Sequence, residues 1–146
     1  LIVAAGAYTL NYERSTPGND ENHDMSMQVV VYKSPGCGCC EGYIESLRDH
    51  GFDVQVRELN NLDTIKKKYD IPDDLLSCHT TIIGNYFVEG HVPIEAVEKL
   101  LEEKPDIDGI ALPGMPSGSP GMPGAKYGQF EILAIKDGQV FDFMRI

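Results

Sequence analysis

The chain is short of positive charge. Its 146 residues carry 12 lysines and arginines against 23 aspartates and glutamates, for a formal net charge of −11 and a pI near 4.6. Binding a phosphate backbone or an anionic lipid surface needs a basic face, and little here can build one, so no nucleic-acid partner is expected. Long apolar runs are scarce too: Leu1 to Leu10 falls short of the about 20 residues that cross a bilayer. Cysteine is sparse, since four are few for a disulfide scaffold of this size. What is present, 42% hydrophobic and 24% charged residues, is the composition of one folded domain.

The four cysteines are not evenly spread. Three fall in the window Cys37-Gly38-Cys39-Cys40, and the fourth is Cys78. Upstream, Leu1 to Leu10 reads either as the remnant of a signal peptide or membrane anchor, or as a plain chain boundary or edge strand. Asn11 to Ser26 is polar and turn-rich around Pro17-Gly18-Asn19-Asp20 and reads as a flexible linker, with His23, Met25 and Met27 solvated. The expected division is residues 1–26 as leader and tether and residues 27–146 as one domain.

Within that domain the pattern alternates. Met27 to Tyr32 is a β-branched run closed by Ser34-Pro35-Gly36, a buried strand. From Cys40 to about His50, Tyr43, Ile44 and Leu47 recur at helical spacing, and Gly51 stops the helix, with His50 as its cap. Phe52 to Arg57 alternates as a second strand. Leu62 to Tyr69 is a short helix whose Lys66-Lys67-Lys68 run reads as a solvated face. Thr80–Ile83 and Tyr86–Glu89 flank Gly84-Asn85, a two-residue hairpin loop. Pro93 opens a helix carrying Ile94, Val97, Leu100 and Leu101, and Lys104-Pro105 closes it. Residues 109–128 hold six glycines and four prolines and read as one long loop. Two last strands, Phe130–Ile135 and Gln139–Phe143, meet around Asp137-Gly138. The order is α/β and thioredoxin-like, with a long Gly/Pro/Met loop and an appended C-terminal hairpin. It puts the cysteine window between the first strand and the first helix.

That position favours thiolates, because backbone N–H groups and the helix dipole stabilise negative charge there. Thiol–disulfide exchange needs only Cys37 and Cys40, and Cys39 would be superfluous for it. Three crowded thiolates are better explained by a soft cation that relieves their repulsion. Structural zinc is the default metal, but its paired knuckles are poorly matched by the adjacent Cys78-His79. Cu(I) accepts thiolates and thioethers at low coordination number. Met115 and Met122, held in a Gly/Pro loop, are candidate sulfur donors. His79 gains weight beside Cys78; His91, placed at the opposite end of the following hairpin, gains less.

Four segments then carry a resemblance: Lys33-Ser34-Pro35-Gly36-Cys37-Gly38-Cys39-Cys40, Ser77-Cys78-His79-Thr80, Val88-Glu89-Gly90-His91-Val92-Pro93, and Leu112-Pro113-Gly114-Met115-Pro116 continuing to Ser119-Pro120-Gly121-Met122. In this order they resemble the signatures of bacterial CopG-like copper-resistance proteins, from about Val29 to Ile146. The resemblance implies an extracytoplasmic, thioredoxin-like protein that binds copper and meets other copper-handling proteins as a monomer or weak oligomer. It implies Cys37, Cys39, Cys40 and Cys78 as thiolate ligands, Met115 and Met122 as further sulfur donors, and His79 and His91 behind them. Bound copper changing between Cu(I) and Cu(II) would give a weak oxidoreductase activity. Gly36, where a polar residue is common, and Pro123, where an acid is usual, depart from the pattern without touching a thiol. Unlike thioredoxin itself, no proline precedes Thr81-Ile82, which counts against a general disulfide reductase or oxidase.

Overall fold

The computed structural model describes residues 28–146; the leader and tether at 1–26 and the expected strand start at Met27 lie outside them. The elements are β1 (Gln28–Lys33), α1 (Gly38–Asp49), β2 (Asp53–Glu58), α2 (Asp63–Lys68), a 3-10 turn (Asp73–Leu75), β3 (His79–Ile83), β4 (Tyr86–Gly90), α3 (Ile94–Glu103), β5 (Gly109–Leu112), β6 (Glu131–Lys136) and β7 (Gln139–Arg145). Seven strands form one mixed sheet in the order β2-β1-β3-β4-β5-β6-β7. β1 pairs parallel with β2 and antiparallel with β3, and β4 pairs antiparallel with β3 and parallel with β5. Among the described residues no helix is long and apolar enough to cross a membrane.

Side chains alternate across a strand, and the two faces bury different partners. On the front, Val29, Val31, Ile83, Val88, Ile110 and Leu112 pack against Tyr43, Ile44 and Leu47 of α1 and Val97 and Leu100 of α3. On the back, Ile82, Phe87, Ala111 and Ile135 meet Tyr69, Ile71 and Leu75. Each large apolar side chain so buried contributes about 1.5–3 kcal/mol. Turn chemistry fixes the register. Gly84 takes φ +57° at the β3–β4 corner, and Asp137 and Gly138, at φ +50° and +73°, make the tight turn between β6 and β7.

Two expectations need correction. Residues 109–128 do not form one loop, because their first four residues are β5, buried throughout between β4 and β6. Gly109 is there for proximity: a Cβ on it would lie 2.3 Å from the Phe87 carbonyl oxygen. The glycine that looks like a loop signal lets two strands close up. The C-terminal hairpin therefore continues the main sheet through β5. Nor is the lysine run wholly solvated. Lys66 is buried, and its ammonium pairs with the equally buried Glu89.

Candidate metal centre

The thiols sit where β1 hands over to α1. Cys37 is the N-cap residue of α1, and Cys39 and Cys40 lie in its first turn, where orphan N–H groups and the dipole favour negative charge. Buried Lys33, the last residue of β1, anchors this corner by ion pairs to Glu41 of α1 at 2.8 Å and Glu58 of β2 at 2.7 Å. Both carboxylates raise its pKa. β3 begins beside Lys33, which pairs in register with His79, and so Cys78 is delivered to the helix end.

The four sulfurs lie within 4.8 Å of one another. Cys37 and Cys40 are joined as a disulfide with Cα atoms 5.3 Å apart, whereas Cys39 and Cys78 are free thiols. Cys39 Sγ lies 3.6 Å from Cys37 Sγ and 3.7 Å from Cys78 Sγ, and so joins the pair to the far cysteine. Cys40 is fully buried, while Cys39 and Cys78 are half-buried.

A second donor set shares Cys78. Its sulfur is 3.3 Å from His79 Nδ1 and 3.0 Å from His91 Nε2. His91 was expected at the far end of the β3–β4 hairpin, yet it faces Cys78. The reason is register. A two-residue turn at Gly84-Asn85 pairs Thr80 with Glu89, and two residues further out the hairpin sets Cys78 opposite His91. The long loop completes the arrangement, since the Pro120 carbonyl lies 2.7 Å from His91 Nδ1. A carbonyl can only accept, so Nδ1 carries the proton and Nε2 turns a lone pair toward Cys78. Metal-binding histidines are commonly oriented in this way.

The loop itself is seated on the thiol helix. A Cβ on Gly121 would lie 2.4 Å from the Cys39 carbonyl oxygen, and one on Gly42 would lie 2.8 Å from Gly121 Cα. Met122, the next residue, donates its N–H to Ser119 O at 2.9 Å. Met115 is 43% exposed and left-handed at φ +44°. The structure gathers the four cysteines and the two histidines at this corner, and the loop that carries Met115 and Met122 is seated against the same helix. His50 lies elsewhere, capping α1 with Nδ1 2.7 Å from Ser46 O.

Burial governs the charge state. It pushes the Cys78 thiol up to about 11, helped by the hydrogen bond and charge of Cys39. It pushes His79 down to about 3, with further lowering from His91 and Lys66, and it lowers His91 as well. The metal-free centre at neutral pH therefore holds a protonated Cys78 between neutral imidazoles. His79 Nε2 is buried with no hydrogen-bond partner. Neutral imidazoles and displaceable thiol protons suit a soft or borderline cation such as copper or zinc, and neither donor set includes a carboxylate.

Fold and site together define an α/β protein with a cluster of thiols and imidazoles, able to hold a metal ion, at the end of its sheet. Two solved structures of copper resistance protein CopG, forms 2 and 1, align with it. Each has a TM-score of 0.76 and 34% identity over 82% of this chain, covering 98% and 97% of theirs. The chain belongs to the family of copper resistance protein CopG. A family model described as DUF411, a protein of unknown function, matches residues 75–122, the span from just before Cys78 to Met122. Among curated proteins no sequence matches.

Proposed function

We propose that this protein binds copper ions in copper resistance, taking them as Cu(I) on its cysteine cluster. The observation that carries this reading is the convergence of four sulfurs within 4.8 Å beside two imidazoles kept neutral by burial. Cys39, Cys78 and His91 form the donor set ready without reduction. Opening the Cys37–Cys40 disulfide adds two thiolates and allows more than one ion to be shared. Met115 and Met122, in the loop seated on α1, are further sulfur donors, and His79 turns its Nδ1 to the same sulfur. The strand order β2-β1-β3-β4, with β3 alone reversed, supports a thioredoxin-like reading of this half of the sheet. A disulfide that persists suits an oxidising, extracytoplasmic setting.

The same reading lets copper change between Cu(I) and Cu(II). Two Cu(II) ions reduced to Cu(I) take two electrons from the Cys37 and Cys40 thiols, which form the disulfide and release two protons to solvent. The second reading, thiol–disulfide exchange by Cys37 and Cys40, is favoured by that disulfide's position at the start of α1. It leaves Cys39, Cys78 and His91 without a task.

The test is elemental analysis of reduced, anaerobically purified protein after exposure to Cu(I) and to zinc. At least one equivalent of copper retained through gel filtration is expected. One equivalent of zinc with no copper uptake overturns the proposal in favour of a structural zinc module.

A further inference from the structure

A buried lysine needs a reason, and Lys66 has one behind the metal centre. Its ammonium donates to Thr80 Oγ1 at 3.0 Å and to Glu89 Oε1. Glu89 is wholly buried on β4, and its carboxylate is fully engaged. Oε1 also accepts the backbone N–H of Ser77 at 2.7 Å, and Oε2 accepts the Thr80 hydroxyl at 2.6 Å. Even-numbered spacing puts Thr80 with Ile82, and Glu89 with Phe87, on the back of the sheet. His79 lies with Ile83 on the front, its ring 4.6 Å from that of Tyr43.

Stability alone is a weak reason to keep such a pair, because apolar residues of similar volume often replace one at no cost. What the carboxylate grips is more specific. Ser77 and Thr80 are the residues on either side of Cys78-His79, and Glu89 stands two residues before His91. Cys78 itself lies in a bend before β3 begins, where no strand ladder holds its backbone. The Ser77 N–H given to Glu89 is the bond that ties this bend to β4.

We propose that Glu89, neutralised by Lys66, is a positioning residue of the metal centre. From behind the sheet it holds the Ser77–Thr80 backbone so that Cys78 Sγ and His91 Nε2 stand 3.0 Å apart on the front before metal arrives. Its consequence for copper rests on the function proposed above; the clamp itself belongs to the metal-free protein.

The test compares two double variants of the full chain. Lys66→Met with Glu89→Leu removes the charges and the acceptor. Lys66→Met with Glu89→Gln removes the charges but keeps a carbonyl oxygen for Ser77 N–H and an amide donor for Thr80. In metal-free protein, amide exchange at Ser77 should quicken in the leucine variant and stay slow in the glutamine variant. Cu(I) affinity, measured by competition with a chromophoric chelator, should fall about 10–100-fold in the first and stay native-like in the second. Ser77→Pro supplies the same test if the leucine variant does not fold. It deletes the N–H together with the serine hydroxyl, for which Ser77→Ala is the control, and Leu76 already has the extended backbone (ψ 138°) that a residue before proline adopts. Native-like Ser77 exchange and copper affinity in the leucine variant overturn the clamp; should that variant not fold, native-like copper affinity and native-like amide exchange at Cys78, the next N–H along the bend, in the proline variant overturn it instead. So does a glutamine variant that fails as badly. A native chain that takes up no copper overturns the copper reading alone, because Ser77 exchange still reports the clamp.

Discussion

The two faces of the sheet at its β3–β4 end carry opposite chemistry: His79 alternates with Thr80 along β3, while Cys78, in the bend before β3, and His91, just past Gly90 at φ +79°, come to the front from outside the strands. The front presents sulfur and imidazole: Cys78 as a thiol, His79 and His91 as neutral rings, and one nitrogen, His79 Nε2, with no partner. The back presents an ammonium and a carboxylate, tied to each other and to Thr80 and Ser77. The difference separates loading from holding. Donors that must give up protons and accept a cation stay uncharged and under-bonded. The groups that hold their backbone are charged and fully bonded, one sheet thickness away. Charge placed directly among the thiols would compete with the metal or repel it.

The largest predicted effect is on the front. Cys39→Ser or Cys78→Ser should weaken Cu(I) binding beyond the about 10–100-fold caused by changes in outer-shell partners, as read by chelator competition. An exchange enzyme relying on Cys37 and Cys40 would keep its disulfide reductase activity in Cys39→Ser. On the back, Lys66→Met alone should cost about 3–5 kcal/mol of folding stability by urea denaturation, because it leaves the Glu89 carboxylate buried and unpaired. The apolar double variant should recover much of that loss, which would show the two faces to be separable.

A pH effect comes next, and its sign follows from burial. His79 has a folded pKa of about 3 against an ordinary 6.5. It therefore contributes stability above pH 6.5 that is lost as the pH falls through that interval, because the unfolded chain takes up the proton first. Metal-free protein should lose urea resistance progressively between about pH 6.5 and 3, and His79→Asn should flatten the slope. The smallest effect tests the strap across the front. Gly42→Ala puts a Cβ 2.8 Å from Gly121 Cα and should lift the loop that bonds His91. Copper affinity should fall several-fold while thermal stability shifts little, both measured on the same preparation.

Much of this was legible in the sequence, and what was not had identifiable causes. Strand and helix periods gave the order from β1 to α3, and the Cys-x-Cys-Cys window was visible as a site at once. β5 was hidden because Gly109 marks close packing against Phe87 and not a loop. His91 was undervalued although the signal was present: once Gly84-Asn85 is taken as a two-residue turn, counting outward pairs Cys78 with His91. Lys66 could not be found from its own helix, where it sits in a lysine run. Its partner Glu89 lies 23 residues on, and only the folded back face joins them. The Pro120 carbonyl was equally out of reach, since a backbone acceptor in a Gly/Pro loop leaves no mark in side-chain pattern.

The central claim is that Cys39, Cys78 and His91, joined on reduction by Cys37 and Cys40, hold copper. X-ray absorption at the copper edge of the reduced, Cu(I)-loaded protein tests it most directly. A first shell dominated by sulfur, with a nitrogen contribution that disappears in His91→Ala, is the predicted result. A shell of nitrogen and oxygen without sulfur, unchanged when Cys39 or Cys78 is replaced by serine, would contradict it.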